Sequence, residues 1–155
     1  MQYDLFGEKS RGCCTDSNAM SMFGPQWLME GSAEYMGYAL MADLGLIDLD
    51  KRMLEVASQI QPSDTSLKSR ETRKGFRELS NSWDIGPVAT HLLISQSGFA
   101  ALAKFYSDLG EGKKMRPTFL EAFGRSTEQF DREFKDYIQS SPESTEAYLK
   151  DRPAK

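Results

Sequence analysis

The chain has 155 residues, of which 39% are hydrophobic and 27% are charged, and its net charge is −4. A chain of this length can form one domain with a substantial core. The slightly acidic balance gives no basic field, so the composition argues against binding to nucleic acid or to an anionic membrane surface. No apolar run approaches the roughly 18 residues that a membrane-spanning helix needs.

Residues 1–23 are predicted to form an N-terminal loop or the remnant of an element that begins upstream. The opening MQYDLFGEKSRG has no apolar segment of the kind found in signal peptides, so it predicts no localisation. The only cysteines, Cys13 and Cys14, are adjacent and cannot staple a loop. Two reduced thiols are therefore expected, with a redox or soft-metal role as the alternative.

Helical patterns dominate the rest of the chain, and no run alternates apolar and polar residues as a half-buried strand does. The sequence therefore predicts an all-α fold, with a helical domain at 24–139 and a C-terminal tail at 140–155 that is free to fray. Gly24-Pro25 favours a helix start, and Ser126 to Gln129 forms a capping box. Helices are predicted at about 25–45, 50–60, 64–79 (more polar or partly ordered), 85–96, 99–109, 117–123 and 126–139.

The first predicted helix carries an acid next to an apolar stripe. Apolar or small residues recur at spacings of four, three and four, which predicts a buried stripe: Ala33, Gly37, Leu40 and Leu44. Glu30 extends this stripe, and Glu34 falls on its flank. A buried ionised carboxylate costs several kcal/mol unless it meets a cation, a metal or hydrogen-bond donors. The alternative is that Glu30 lies in the first turn of the helix, where its negative charge interacts favourably with the helix dipole and its side chain reaches water or Arg77.

The segment PQWLMEGSAEY, residues 25–35, resembles the P-x-W-L-x-E-G-x-A-E-Y signature of gluzincin metallopeptidases, the peptidase-MA-like group related to aminopeptidase N and thermolysin. The resemblance implies that Glu30 occupies the position of the third zinc ligand. It also implies that Glu34 occupies the acidic position that orients a zinc-bound histidine without itself binding the metal. We expect the corresponding fold, a multi-helix orthogonal bundle like the C-terminal helical subdomain of these enzymes.

Two later segments extend the resemblance. SWDIGPVATHLL looks like the family's Y-x-x-G segment followed by an apolar helix, and FLEAFGRSTEQFDREFKDYI is similar to the group's usual ending. Trp83 stands at the position of the family tyrosine, which donates a hydrogen bond to the developing oxyanion. Trp83 either donates from a different position or packs against the first helix.

The chain departs from the family because it contains no HExxH motif. Zinc hydrolysis in this family needs two histidines four residues apart with a glutamate between them, whereas this chain has a single histidine, His91. The chain alone is therefore predicted to bind no zinc and to be inactive, although zinc is implied for a complete parent protein. His91 is expected to be packed or hydrogen-bonded, with a cleft position as the alternative.

Three hypotheses follow. In the first, this chain is the C-terminal part of a gluzincin-like zinc metallopeptidase whose HExxH segment lies upstream of Met1, and it meets a peptide substrate only when that site is completed. In the second, it is a non-catalytic pseudoenzyme or interaction module that covers the Glu30 face with a partner or as a homodimer. In the third, another polypeptide supplies the two histidines.

A basic stripe in the third predicted helix is a candidate phosphate-binding surface. Glutamates interrupt it, and no aromatic platform is evident in the sequence. A solvated helix face is expected instead, and no nucleic acid partner is predicted. The stripe comprises Arg70, Arg73, Lys74 and Arg77.

Overall fold

The computed structural model of the protein describes residues 23–140. Within that range the fold consists of α-helices, one short 3-10 helix and no strand, so the all-α prediction is confirmed. The 3-10 helix comprises Lys68–Arg70. The α-helices are α1 (Gln26–Asp43), α2 (Leu49–Ala57), α3 (Arg73–Glu78), α4 (Ser82–Ser97), α5 (Phe99–Gly110), α6 (Met115–Phe123) and α7 (Thr127–Gln139).

Local sequence signals account for most of the helix ends. The Ser126 hydroxyl accepts from the Gln129 amide at 3.2 Å, and the Gln129 side chain accepts from the Ser126 amide at 2.7 Å, which confirms the predicted capping box. Asp48 caps α2 by accepting from the Lys51 amide at 3.0 Å. Gly45 follows α1 with φ of 70°, the left-handed conformation that favours glycine after a helix.

Two predicted elements differ from the structure. The polar helix expected at 64–79 is a 3-10 turn followed by the six-residue helix α3, which the Thr72 side chain caps. The helix predicted at about 85–96 begins three residues earlier, because α4 starts at Ser82 and continues through Pro87. Trp83 therefore lies on the first turn of a helix.

The helix α4 forms the centre of the core and packs most extensively against α1. Its residues from Ile85 to Leu93 are all buried. The two helices cross at Gly31 and Gly86, where a Cβ built on Gly31 would lie 2.3 Å from the carbonyl carbon and oxygen of Gly86. Only glycine permits so close an approach of two backbones. This crossing fixes the position of α1, and with it Glu30, relative to α4.

The prediction of a solvated basic stripe was wrong for Arg70, which is fully buried. Its guanidinium pairs with Asp64 at 2.9 Å and donates to the Ser82 hydroxyl at 3.0 Å. It also donates to the carbonyl oxygens of Ser66 at 2.9 Å and Ser80 at 2.7 Å. Arg70 thus ties the loop before α3 to the start of α4. The other three members of the stripe, Arg73, Lys74 and Arg77, are exposed.

Candidate functional site

Helix α1 has two apolar faces, and only one of them is covered by the described residues. The covered face lies against α4 and comprises Trp27, Leu28, Gly31, Ser32 and Tyr35. The stripe predicted to be buried lies on the other side of the helix, where Leu40 is 61% and Leu44 is 66% exposed. Ala33 and Gly37 are exposed as well. The prediction of burial was wrong because periodicity identifies an apolar stripe without identifying what packs on it.

Glu30 lies at the edge of this open face. Its side chain is half-buried, and its Oε1 accepts a hydrogen bond from the Gln26 Nε2 at 2.7 Å, one helical turn earlier. Arg77, the partner considered from the sequence, is exposed on α3. The carboxylate is therefore held by its own helix and is not directed into the core.

A shallow cleft of about 300 Å³ brings the sequence-predicted residues Glu30, Glu34 and Trp83 together. We name it the carboxylate cleft; its remaining lining residues are Ala33, Gly37, Tyr38 and Met41. Trp83 is 58% exposed, and its ring meets Phe76 of α3 edge-on at 5.1 Å. The indole thus forms an aromatic wall of the cleft that the two glutamates also line.

A second, apolar cleft of about 260 Å³ adjoins the same face on the side of α5. At this cleft the Ser32 hydroxyl and the Tyr106 hydroxyl are hydrogen-bonded at 3.0 Å. Burial raises the pKa of Tyr106 to about 12. Met36 is 44% and Phe99 is 51% exposed beside it. The open surface, which we name the α1 face, comprises Ala33, Met36, Gly37, Leu40, Met41 and Leu44.

The structure does not bring His91 to Glu30. His91 is 2% exposed, and its Nε2 lies 3.5 Å from the Asp50 Oδ1 at the start of α2. The imidazole ring lies 5.8 Å from the ring of Tyr35 and lines a cleft of about 350 Å³ that shares no residue with the carboxylate cleft. Burial, with a contribution from Asp50, raises the pKa of Tyr137 to about 12.

The described residues do not fit a zinc ion. Zinc sites in proteins use three or four ligands, mostly histidine nitrogen and cysteine sulfur. The carboxylate cleft offers two glutamates but no histidine or cysteine, and no group of three or more His, Cys, Asp or Glu suited to a metal occurs within residues 23–140. Cys13 and Cys14 lie outside the described residues.

Two features of the site were not predicted from the sequence. Gln26 holds Glu30, and the spacing of four residues on one helix could have indicated that contact. No signal in the sequence indicates that Phe99 of α5 lines the apolar cleft beside α1, because these two helices meet only in the folded chain.

Comparisons of the chain with protein-family models, curated proteins and solved structures find no match. The relationship to gluzincins therefore stays a prediction from the sequence. Within residues 23–140, no helix has both the length and the apolar character needed to cross a bilayer.

Proposed function

We propose that this chain is the C-terminal helical part of a gluzincin-like metallopeptidase, in which α1 carries the third-ligand glutamate and the chain by itself is catalytically incomplete. In this proposal the α1 face receives a further polypeptide segment that bears the HExxH motif. Glu30 occupies the ligand position, and Glu34 orients a histidine of the incoming segment. Zinc would supply Lewis-acid chemistry in the completed site only. The described residues do not hold it, so we assign them no hydrolytic step.

The observation that carries the proposal is the open α1 face with Glu30 at its edge. Soluble domains rarely leave a contiguous row of large apolar side chains in water unless a partner covers it. Here Leu40 and Leu44 are more than half exposed, and Trp83 is 58% exposed beside Glu30. A glutamate that is half-buried next to an uncovered apolar stripe is the arrangement expected of a ligand helix without the segment that completes its site.

The proposal is tested by reading the coding sequence upstream of the Met1 codon and preparing the longer protein that it encodes. We expect an in-frame HExxH motif and about one bound zinc per chain. Glu30→Gln should lose that zinc, whereas the control Glu111→Gln, at an exposed position after α5, should keep it. An upstream sequence without HExxH, or zinc retained in Glu30→Gln, would overturn the peptidase proposal.

A second candidate function, a non-catalytic interaction module, is favoured by Trp83. The indole stands where the family has a tyrosine hydroxyl, and its N–H would donate from a different position. In this candidate function the α1 face is still an interface, but its partner brings no metal ligands. If the longer protein lacks HExxH while the isolated chain keeps an open α1 face, the interaction module is the function that remains.

A further inference from the structure

All of the charged residues of α1 are acidic, so the surroundings of the α1 face carry negative charge. From Gln26 to Asp43 the helix contains the acids Glu30, Glu34 and Asp43 and no lysine, arginine or histidine. Glu30 and Glu34 both line the carboxylate cleft, and Trp83 forms its aromatic wall. Neither this cleft nor the apolar cleft beside α5 is lined by a lysine or arginine of the described chain.

Within residues 23–140, Arg52 is a cation that lies near the cleft, beside the lining residue Tyr38. The Arg52 guanidinium sits 5.4 Å from the centre of the Tyr38 ring, and it pairs with Glu55 at 3.5 Å. Arg52 is therefore engaged on α2 and is not among the residues that line the carboxylate cleft. No lysine, arginine or histidine among the described residues lines this cleft, so its lining supplies no charge that compensates the two glutamates.

The shape of the α1 face suits a helix. The stripe from Ala33 to Leu44 extends over about three helical turns, or roughly 17 Å at 1.5 Å per residue. Ala33 and Gly37 are small, and a Cβ built on Gly37 would meet nothing within 4 Å. The backbone of an incoming helix can therefore approach α1 closely between the two clefts, with its apolar residues on Leu40 and Leu44.

We propose that the α1 face docks a basic amphipathic helix of another polypeptide, with a lysine or arginine side chain entering the carboxylate cleft between Trp83 and the two glutamates. This inference rests on the proposal that the α1 face is an interface, in its interaction-module form. The cation meets two carboxylates and an aromatic ring, a combination that favours ammonium and guanidinium groups. Large aliphatic residues on the same incoming helix cover the apolar stripe of α1.

Charge also decides against a second copy of this chain as the occupant. A symmetric pair would place the same patch on both sides of the interface, so the acids of one α1 would meet the acids of the other with no base on either helix. Like charges brought together across an interface weaken association. A basic partner removes that repulsion.

The test uses the whole chain and a synthetic helical peptide of about 18 residues, with leucines at helical spacing and two lysines at one end. Because Trp27 is 1% and Trp83 is 58% exposed, a blue shift in tryptophan emission reports on Trp83. We expect saturable binding of the lysine peptide and at least tenfold weaker binding of a peptide with glutamates in place of the lysines (about 1.4 kcal/mol per tenfold).

The matched protein variants change charge equally in two places. Glu30→Gln with Glu34→Gln should weaken binding of the lysine peptide about tenfold. Glu111→Gln with Glu121→Gln, at exposed positions after α5 and on α6, should change it less than about twofold. Equal binding of both peptides, equal effects of both double variants, or failure of the lysine peptide to bind would overturn the inference.

Sedimentation of the free chain shows whether a second copy of the chain, and not a basic helix, occupies the α1 face. A dimer that Leu40→Ser converts to a monomer would identify a second copy and also overturn the inference. If the lysine peptide fails although an apolar dye still binds at Leu40, the chemistry of the partner is wrong while the proposed interface stands. If the dye does not bind, the interface itself fails.

Discussion

Replacing Gly31 by alanine places a methyl group inside the crossing of α1 and α4. The added Cβ would lie 2.3 Å from the carbonyl carbon and oxygen of Gly86. Unstrained carbon atoms pack at about 3.5–4.0 Å, so the backbones must separate by roughly 1 Å or more. Such overpacking typically costs about 1–3 kcal/mol, and a rigid backbone as the obstacle favours the upper part of that range.

The matched variant is Gly37→Ala on the same helix, where the new Cβ meets nothing within 4 Å. Alanine is a better helix former than glycine by about 0.5–1 kcal/mol, so Gly37→Ala should stabilise the protein by about that amount. Gly31→Ala has the same gain in helix propensity, which offsets part of its overpacking cost and leaves a net loss of about 2 kcal/mol in the free energy of unfolding. The two variants should therefore differ by about 3 kcal/mol in the free energy of unfolding.

The assay is urea unfolding followed by far-UV circular dichroism, with the midpoint and slope fitted for each variant. Gly31→Ala should move the midpoint to lower urea and Gly37→Ala to higher urea, with similar slopes. A Gly31→Ala protein as stable as the wild type would refute the close crossing. The position of Glu30 relative to Trp83 would then have no structural basis.

The other predictions concern buried charges. Arg70→Met should lower the free energy of unfolding by about 3 kcal/mol, because it removes the partner of Asp64 and of buried polar groups. The control Arg73→Met, at an exposed position, should change that free energy by less than about 0.5 kcal/mol. Equal urea midpoints for the two variants would contradict this prediction. Burial raises the pKa of Glu71, and Arg116, 3.1 Å away, offsets this only in part. The contribution of Glu71 to stability is therefore present below its ordinary pKa of 4.5 and is lost as pH rises through the higher folded pKa. Glu71→Gln should gain stability relative to the wild type between about pH 4 and about pH 7, and a relative loss in urea unfolding at those two pH values would contradict the assignment.

Local signals were sufficient to predict most helices. These signals mark helix ends through residues that lie within a few positions of the end. They are Gly24-Pro25 before α1, Gly45 after it, and the Ser126–Gln129 capping box at the start of α7. Arg70 was missed because its partners come from separate loops and from α4, which only the folded chain assembles. A residue that looks solvated in a basic run can be buried when carbonyl oxygens from distant segments converge on it.

For the candidate site, the sequence named residues but not their setting. Glu30 and Glu34 came from one motif and Trp83 from another segment; the fold places the three around one cleft, and the roles given to them stay predictions. The periodicity of α1 could not indicate which of its two apolar faces is covered. That choice depends on Gly31 meeting Gly86, a contact between residues far apart in sequence. His91, expected to be packed or hydrogen-bonded with a cleft position as the alternative, is buried and lines a different cleft with Asp50.

The most direct test of the proposed interface is the binding of an apolar fluorescent dye to the isolated chain and to two variants. Leu40 is 61% exposed on the α1 face, and Leu120 is 51% exposed on α6, so serine at either position should leave the fold intact. We expect the wild type and Leu120→Ser to enhance dye fluorescence, and Leu40→Ser to lose most of that enhancement. No enhancement in the wild type, or equal loss in both variants, would contradict an open α1 face and, with it, both functions proposed for this chain.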